Sequence, residues 1–152
     1  MSSKSPVERI VNAFVAYAKA TLPGLITTAN VGQTLAAPAL KKIEKTSCVN
    51  VQYFPACAIN LDSVGFSDSG AGSLRADLTI DVFIFASDSK PANLAAYVDR
   101  YLDAVVDLAS NDATVGAEGF EIKIERADKG LEPEGTRGWV AVSFTVWGEA
   151  PF

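Results

Sequence analysis

The sequence predicts an α+β fold: a four-stranded, mainly antiparallel sheet with two helices packed on one face and a long extended arm. Three observations carry this expectation. Apolar residues recur at three- and four-residue intervals in two segments, they alternate with polar residues in four others, and between the first helix and the first strand both periods fade. At 152 residues, 49% hydrophobic and 20% charged, the chain has the size and composition of one core-forming domain over 1–152.

Ser5-Pro6-Val7-Glu8 reads as a capping box with proline at the first helical position. Val7, Ile10, Val11, Phe14, Ala18 and Leu22 then fall on one helical face, opposite Glu8, Arg9, Asn12 and Lys19, and Pro23-Gly24 is the expected stop. From Leu25 to Phe54 the chain is rich in Thr, Ala, Asn, Gly and Pro, with one short helical possibility around Leu35 to Lys45, and it is expected to form the arm. Between Ala20 and Leu61 there are four charges in 42 residues, whereas the other 110 residues carry 27. A long, irregular, charge-poor segment in a small domain needs a cover, and a partner subunit is the economical one.

Cys57, Ile59 and Leu61 alternate with Ala58, Asn60 and Asp62, and Leu74, Ala76, Leu78, Ile80, Val82 and Ile84 alternate with Arg75, Asp77, Thr79 and Asp81. These are two half-buried strands. The linker Ser67 to Ser73 has hairpin chemistry but is too long for a tight two-residue turn, with Ser69, Gly70 and Gly72 expected at its tip. Pro91 to Ala109 returns to helical spacing, with Leu94, Tyr97, Val98, Tyr101, Leu102, Val105 and Leu108 inward. Phe120 to Arg126 and Arg137 to Trp147 alternate again, joined through the turn-rich Asp128-Lys129-Gly130 and Glu132-Pro133-Glu134-Gly135. The core set on these strands is even-numbered: Leu78, Ile80, Val82, Ile122, Ile124, Val142 and Phe144 against Phe14, Tyr97, Tyr101 and Val105.

Composition removes several kinds of function. The chain has no histidine, hence none of the commonest general base, metal ligand or pH switch. A net charge of −5 offers no bulk basic surface to hold nucleic acid through many phosphates. Cys48 and Cys57 match no C-x-x-C pattern and are expected as buried free thiols. No secretory signal and no membrane-length apolar run is seen, so cytoplasmic synthesis without a membrane role is expected.

The remaining constellations have bland readings beside the chemical ones. Ser69-Gly70-Ala71-Gly72-Ser73 could cradle a phosphate, but it joins two strands and lacks the Lys-Ser/Thr of a Walker loop. Asp77 with Asp81 and Glu121 with Glu125 are same-face carboxylate pairs, as glycoside hydrolysis or magnesium binding needs. Arg75, Lys123 and Arg126 beside them suit a soluble sheet surface with cross-strand ion pairs. Asp99, Asp103 and Asp107 form an acidic stripe on the second helix, either solvated or facing a basic partner. Phe83, Phe85, Trp139 and Trp147 lie opposite the core set of their strands, as aromatics at a protein interface do unless a helix or the arm folds over them.

The helix ending Leu22-Pro23-Gly24, the arm, Tyr53-Phe54-Pro55-Ala56-Cys57-Ala58-Ile59 leading into the first strand, the Gly/Ser-rich hairpin into Ala76 to Phe85, the helix with Tyr97 and Tyr101, and the closing Val142 to Trp147 together resemble the tail terminator (tail completion) proteins of tailed bacteriophages. The resemblance spans Val7 to Trp147. It implies a virion protein assembled in the host cytoplasm, a ring of six subunits that caps the tail tube, stops its polymerisation and forms the head-tail joining surface. Its partners would be the tube protein and the head-tail connector or neck proteins, with DNA passing through the lumen without specific binding, and with no catalysis, cofactor or metal. Leu25, Ile26, Val31, Leu35, Leu40, Tyr53, Phe54, Phe83, Phe85, Trp139 and Trp147 are the expected subunit contacts. A neck, head-closure or tube subunit gives much the same pattern. From another class, a small-molecule-binding α+β enzyme with its pocket between the second helix and the sheet is the alternative.

Overall fold

A computed structural model of the chain describes residues 6–46, 54–70, 73–111, 120–133 and 135–151. The elements are α1 (Pro6–Ala29), β1 (Lys42–Lys45), β2 (Ala56–Gly70), β3 (Ser73–Ser87), α2 (Pro91–Asn111), β4 (Glu121–Leu131) and β5 (Arg137–Pro151). The five strands form one sheet in the order β1-β2-β3-β5-β4. All neighbours are antiparallel except β1 and β2, which run parallel.

Both helices lie on the same face. Phe14 of α1 meets Phe144 of β5 with ring centroids 5.7 Å apart, and Val98 of α2 packs over the backbone of Gly138 in the same strand. The two residues of β5 are even-numbered, and the even side chains of β3 and β5 (Leu78, Ile80, Val82, Ile84, Val140, Val142, Phe144, Val146) are all buried. Cys57 and Ile59 of β2 and Ile122 of β4 complete that layer, facing Ile10, Phe14 and Leu22 of α1 and Leu94, Tyr101, Val105 and Leu108 of α2. The expected register is therefore the observed one. Ile124 is only half-buried because the β4–β5 register shifts immediately after it, between Ile124 and Arg126, and the bulge reverses which parity faces the helices.

The first departure is at Pro23-Gly24, where α1 does not stop. Pro23 points to solvent, and the hydroxyls of Thr27 and Thr28 donate to the carbonyls of Pro23 and Gly24 at 3.1 and 3.0 Å, within an unbroken helix. The apolar stripe continues through Leu22 to Ile26, both buried, and that packing outweighs the lost backbone bond of one proline. The helix ends at Ala29, and the turn that follows closes at Gly32, whose φ of 76° is the left-handed conformation that favours glycine.

The second departure is the arm, which begins after Ala29 and is neither free nor helical over Leu35 to Lys45. The Asn30 side chain clamps Ala37 from both sides, donating to its carbonyl at 3.0 Å and accepting from its amide at 2.9 Å. Residues 42–45 then add a fifth strand to the sheet, with Lys41 N bonded to Pro55 O at 2.8 Å and Thr46 N to Ile59 O at 3.1 Å.

The third departure concerns hairpins. β2 and β3 run on to a Gly70–Ser73 pair, so Ser69 and Gly70 belong to the strand and the expected long linker shrinks to two residues. Asp128, Lys129 and Gly130 likewise belong to β4, which ends at Leu131, and the turn lies at 132–136 with Gly135 at a φ of 73°. Ser5, Cys48, Tyr53, Gly72 and Glu134 lie outside the described residues.

Candidate subunit interface

The helices cover one sheet face, and among the described residues no element covers the other. Its side chains form rows across the strands. Ala56, Phe85, Trp139 and Gly130 make one row, and Ala58, Phe83, Ala141 and Asp128 the next. Phe83 and Phe85, two residues apart on β3, stack with centroids 6.1 Å apart and an interplanar angle of 28°. Trp139 lies over Gly130, where a Cβ would come within 2.7 Å of the indole. The small residues Ala56, Ala58, Ala141 and Gly130 thus let three aromatic rings lie across the sheet and half-bury one another. Phe54 extends the band, with the Arg137 guanidinium 5.8 Å from its ring centroid.

Below this band the outer face is polar and internally paired. Ser143 donates to Asp81 at 2.6 Å, and Thr145 donates to Glu125 at 3.0 Å, with Lys123 3.6 Å from the same carboxylate oxygen. Arg75 binds Asp77 at 2.9 Å while its guanidinium lies 5.3 Å from the Trp147 ring. Three of the four carboxylates considered as catalytic or metal-binding pairs are therefore engaged in bonds along or across the strands, and cross-strand pairs of this kind stabilise a sheet by about 0.2–1 kcal/mol each. Among the described residues no group of His, Cys, Asp or Glu is placed to hold a metal ion.

The expected arm contacts separate into two sets. Ile26 is buried in the core of its own protomer, and Leu25, Leu35 and Leu40 are half-buried against that core. These four hold the segment down. Val31 is 73% exposed. Around it, Pro23, Gly24, Thr27, Thr28 and Gln33 are also exposed, so the end of α1 and the following turn contribute no charged side chain of their own, and the Arg100 guanidinium of α2 donates to the Gln33 side-chain oxygen at the margin. By length and composition α1 from Val7 to Ala29 could cross a membrane, yet its apolar stripe is packed into the core.

On α2, Asp99 pairs with Lys129 of β4, while Asp103 and Asp107 are exposed. Cys57 is a free, buried thiol, and burial pushes its pKa up to about 12. The pocket expected of an enzyme, between α2 and the sheet, is filled by Leu94, Val98, Tyr101 and Val105. A shallow cavity of about 320 Å³ lies instead at the end of the sheet, lined by Phe54, Ser87, Asp88, Ser89, Thr136 and Arg137. It continues the aromatic band. The pattern of the sequence located Phe83, Phe85, Trp139 and Trp147 on this face; the Phe54–Arg137 contact and the open ends of the sheet had no signal in it.

No protein-family model matches the chain, and no curated protein matches it. Among solved structures it is similar to a chain of the "Virion of native gene transfer agent (GTA) particle", with a TM-score of 0.55 and 11% sequence identity over 97% of this chain and 100% of that chain. The likeness is one of fold, over the full length of both chains.

Proposed function

We propose that this chain is a structural protein of a phage-type virion, which caps the tail tube as a ring, ends tube polymerisation and provides the surface to which the head joins. The observation that carries the reading is the end-to-end fold likeness to a chain of a virion particle. Three features of this chain support it. The outer sheet face bears a band of aromatics with no covering layer among the described residues, the end of α1 presents exposed Val31 among uncharged side chains, and three of the four candidate catalytic carboxylates are tied up in bonds along or across the strands.

The ring has six subunits, each meeting its neighbour through two different patches, as closed heterologous rings do. Val31 and Phe54 contribute from the arm, with Tyr53 beside Phe54 in sequence, and Phe83, Phe85, Trp139 and Trp147 from the sheet. Tube protein binds one rim and the head-tail connector or neck proteins bind the other. A net charge of −5 suits a lumen through which DNA slides without being held.

Native mass spectrometry of the protein, alone and after elution from tail tubes, tests the assembly. A six-subunit species in either sample is the expected result. A monomer in both overturns the ring.

A further inference from the structure

We infer that subunits join by continuing the sheet: β4 of one copy pairs antiparallel with the open half of β2 on the next. The inference rests on the ring reading for its occupant, a second copy of this chain, and on the two sheet edges for its geometry.

β1 covers only the first four of the fifteen residues of β2, so eleven, Asn60 to Gly70, face outward with no partner strand among the described residues. At the opposite edge β4 is open over its whole length, which is also eleven residues. An open edge presents unpaired backbone donors and acceptors that another chain can satisfy. In this sheet β2 and β4 run in opposite directions, because three antiparallel pairings separate them. A rotation about an axis roughly along the strands preserves strand direction, so a neighbour placed that way brings its β2 antiparallel to β4. The contact joins two different edges, and such head-to-tail contacts close into a ring when the rotation from one copy to the next divides the full circle.

Side chains on the two edges agree. The exposed large hydrophobic residues of the described chain are Val31, Phe66 and Leu131, and the last two stand on these edges. Phe66 (56% exposed) pairs with Ala76 and Leu131 (40% exposed) with Gly138, which puts both on the helix side of the sheet, at its margins. Their burial needs a neighbour. Among the described residues Arg126 on β4 has no ion-pair partner. The other charges of β4 discourage indiscriminate edge pairing, and β1, which ends where the open stretch begins, limits how far a partner strand can slide.

Antiparallel overlap of the centres of the two edges sets Gly65 opposite Arg126 on the outer face, with Val64 opposite Ala127 on the helix side and Ser63 opposite Asp128 on the outer face, and the bulges at Asp62 and Glu125 bound this in-phase stretch. Within one chain these positions lie three strand spacings apart, about 14 Å, too far for a disulfide. The test is therefore a chain carrying Gly65→Cys, Arg126→Cys and Cys48→Ser, with Ser63→Cys and Ser67→Cys replacing Gly65→Cys in parallel to sample neighbouring registers. Oxidation should give a ladder of covalent oligomers in at least one of the three, lost when either new cysteine is omitted. In a separate variant, Phe66→Lys should abolish assembly while leaving the melting temperature within a few degrees of the parent. Six-subunit particles that form without any ladder overturn the edge pairing and leave the ring intact. Monomers under every condition, with and without tail tubes, overturn both.

Discussion

The Tyr101 hydroxyl on α2 donates to the carbonyl of Pro38 at 2.7 Å, tying the segment that follows α1 to the second helix. Together with the Asn30–Ala37 clamp this gives the charge-poor segment a fixed shape. A partner that docks on a held surface orders little on binding, so less of the contact energy is offset by lost chain entropy. Val31 is thus displayed on a rigid platform.

Tyr101→Phe deletes the donor and leaves the Pro38 carbonyl unpaired in a part-buried setting. The expected loss is about 1–2 kcal/mol in urea denaturation, with faster amide exchange concentrated in residues 30–40. Exchange that is unchanged there would show that the clamp alone holds the segment.

The register of the sheet predicts a contrast between neighbours on β3. Ile80 is fully buried, whereas Thr79 faces outward. Ile80→Ala should cost about 2–5 kcal/mol and Thr79→Ala no more than about 0.5 kcal/mol, both read from chemical denaturation. Equal costs would place the core on the wrong face.

The contrast between what the sequence reveals and what it hides follows from range. Period-two alternation on β3 and β5, and the helical stripe from Ile10 to Leu22, are local consequences of one face being buried, so they are legible in the order of the residues alone. Pro23-Gly24 misleads because local propensity is outweighed by Leu22 and Ile26 reaching the core. β1 is invisible, since four residues of Lys-Ile-Glu-Lys become a strand only when β2 supplies the hydrogen bonds. The aromatic band is half legible: alternation locates Phe83, Phe85, Trp139 and Trp147, but the Gly130 gap under Trp139 is a cross-strand fact.

Burial of Cys57 makes a pH prediction with a definite sign. Its folded pKa of about 12 lies above the unfolded thiol value of 9.0, so above pH 9 the unfolded chain gives up a proton that the folded chain keeps. The stabilising contribution is complete below pH 9 and declines between 9 and 12, by about 1.4 kcal/mol per pH unit. Tyr101, raised by burial and then by Tyr97, acts in the same direction at still higher pH. Cys57→Ala should flatten the alkaline limb of the stability curve. In the folded protein at pH 8, peptide mapping after alkylation should find Cys57 unmodified.

On the outer face, stacked Phe83 and Phe85 contribute to association more than to folding. Phe85→Ser should leave a cooperative melt, lowered by a few degrees at most, and abolish the six-subunit species in native mass spectrometry. A ring that survives this change would move the contact away from the aromatic band.

The most direct test of the capping role is the length of tail tubes measured by electron microscopy when tube protein polymerises with and without this chain. Added protein should stop growth, give a narrow length distribution and leave a ring of extra density at one end of each tube, with Phe85→Ser inactive in the same assay. Tubes that grow to the same broad range of lengths with the parent protein present, and carry no ring, would contradict the account.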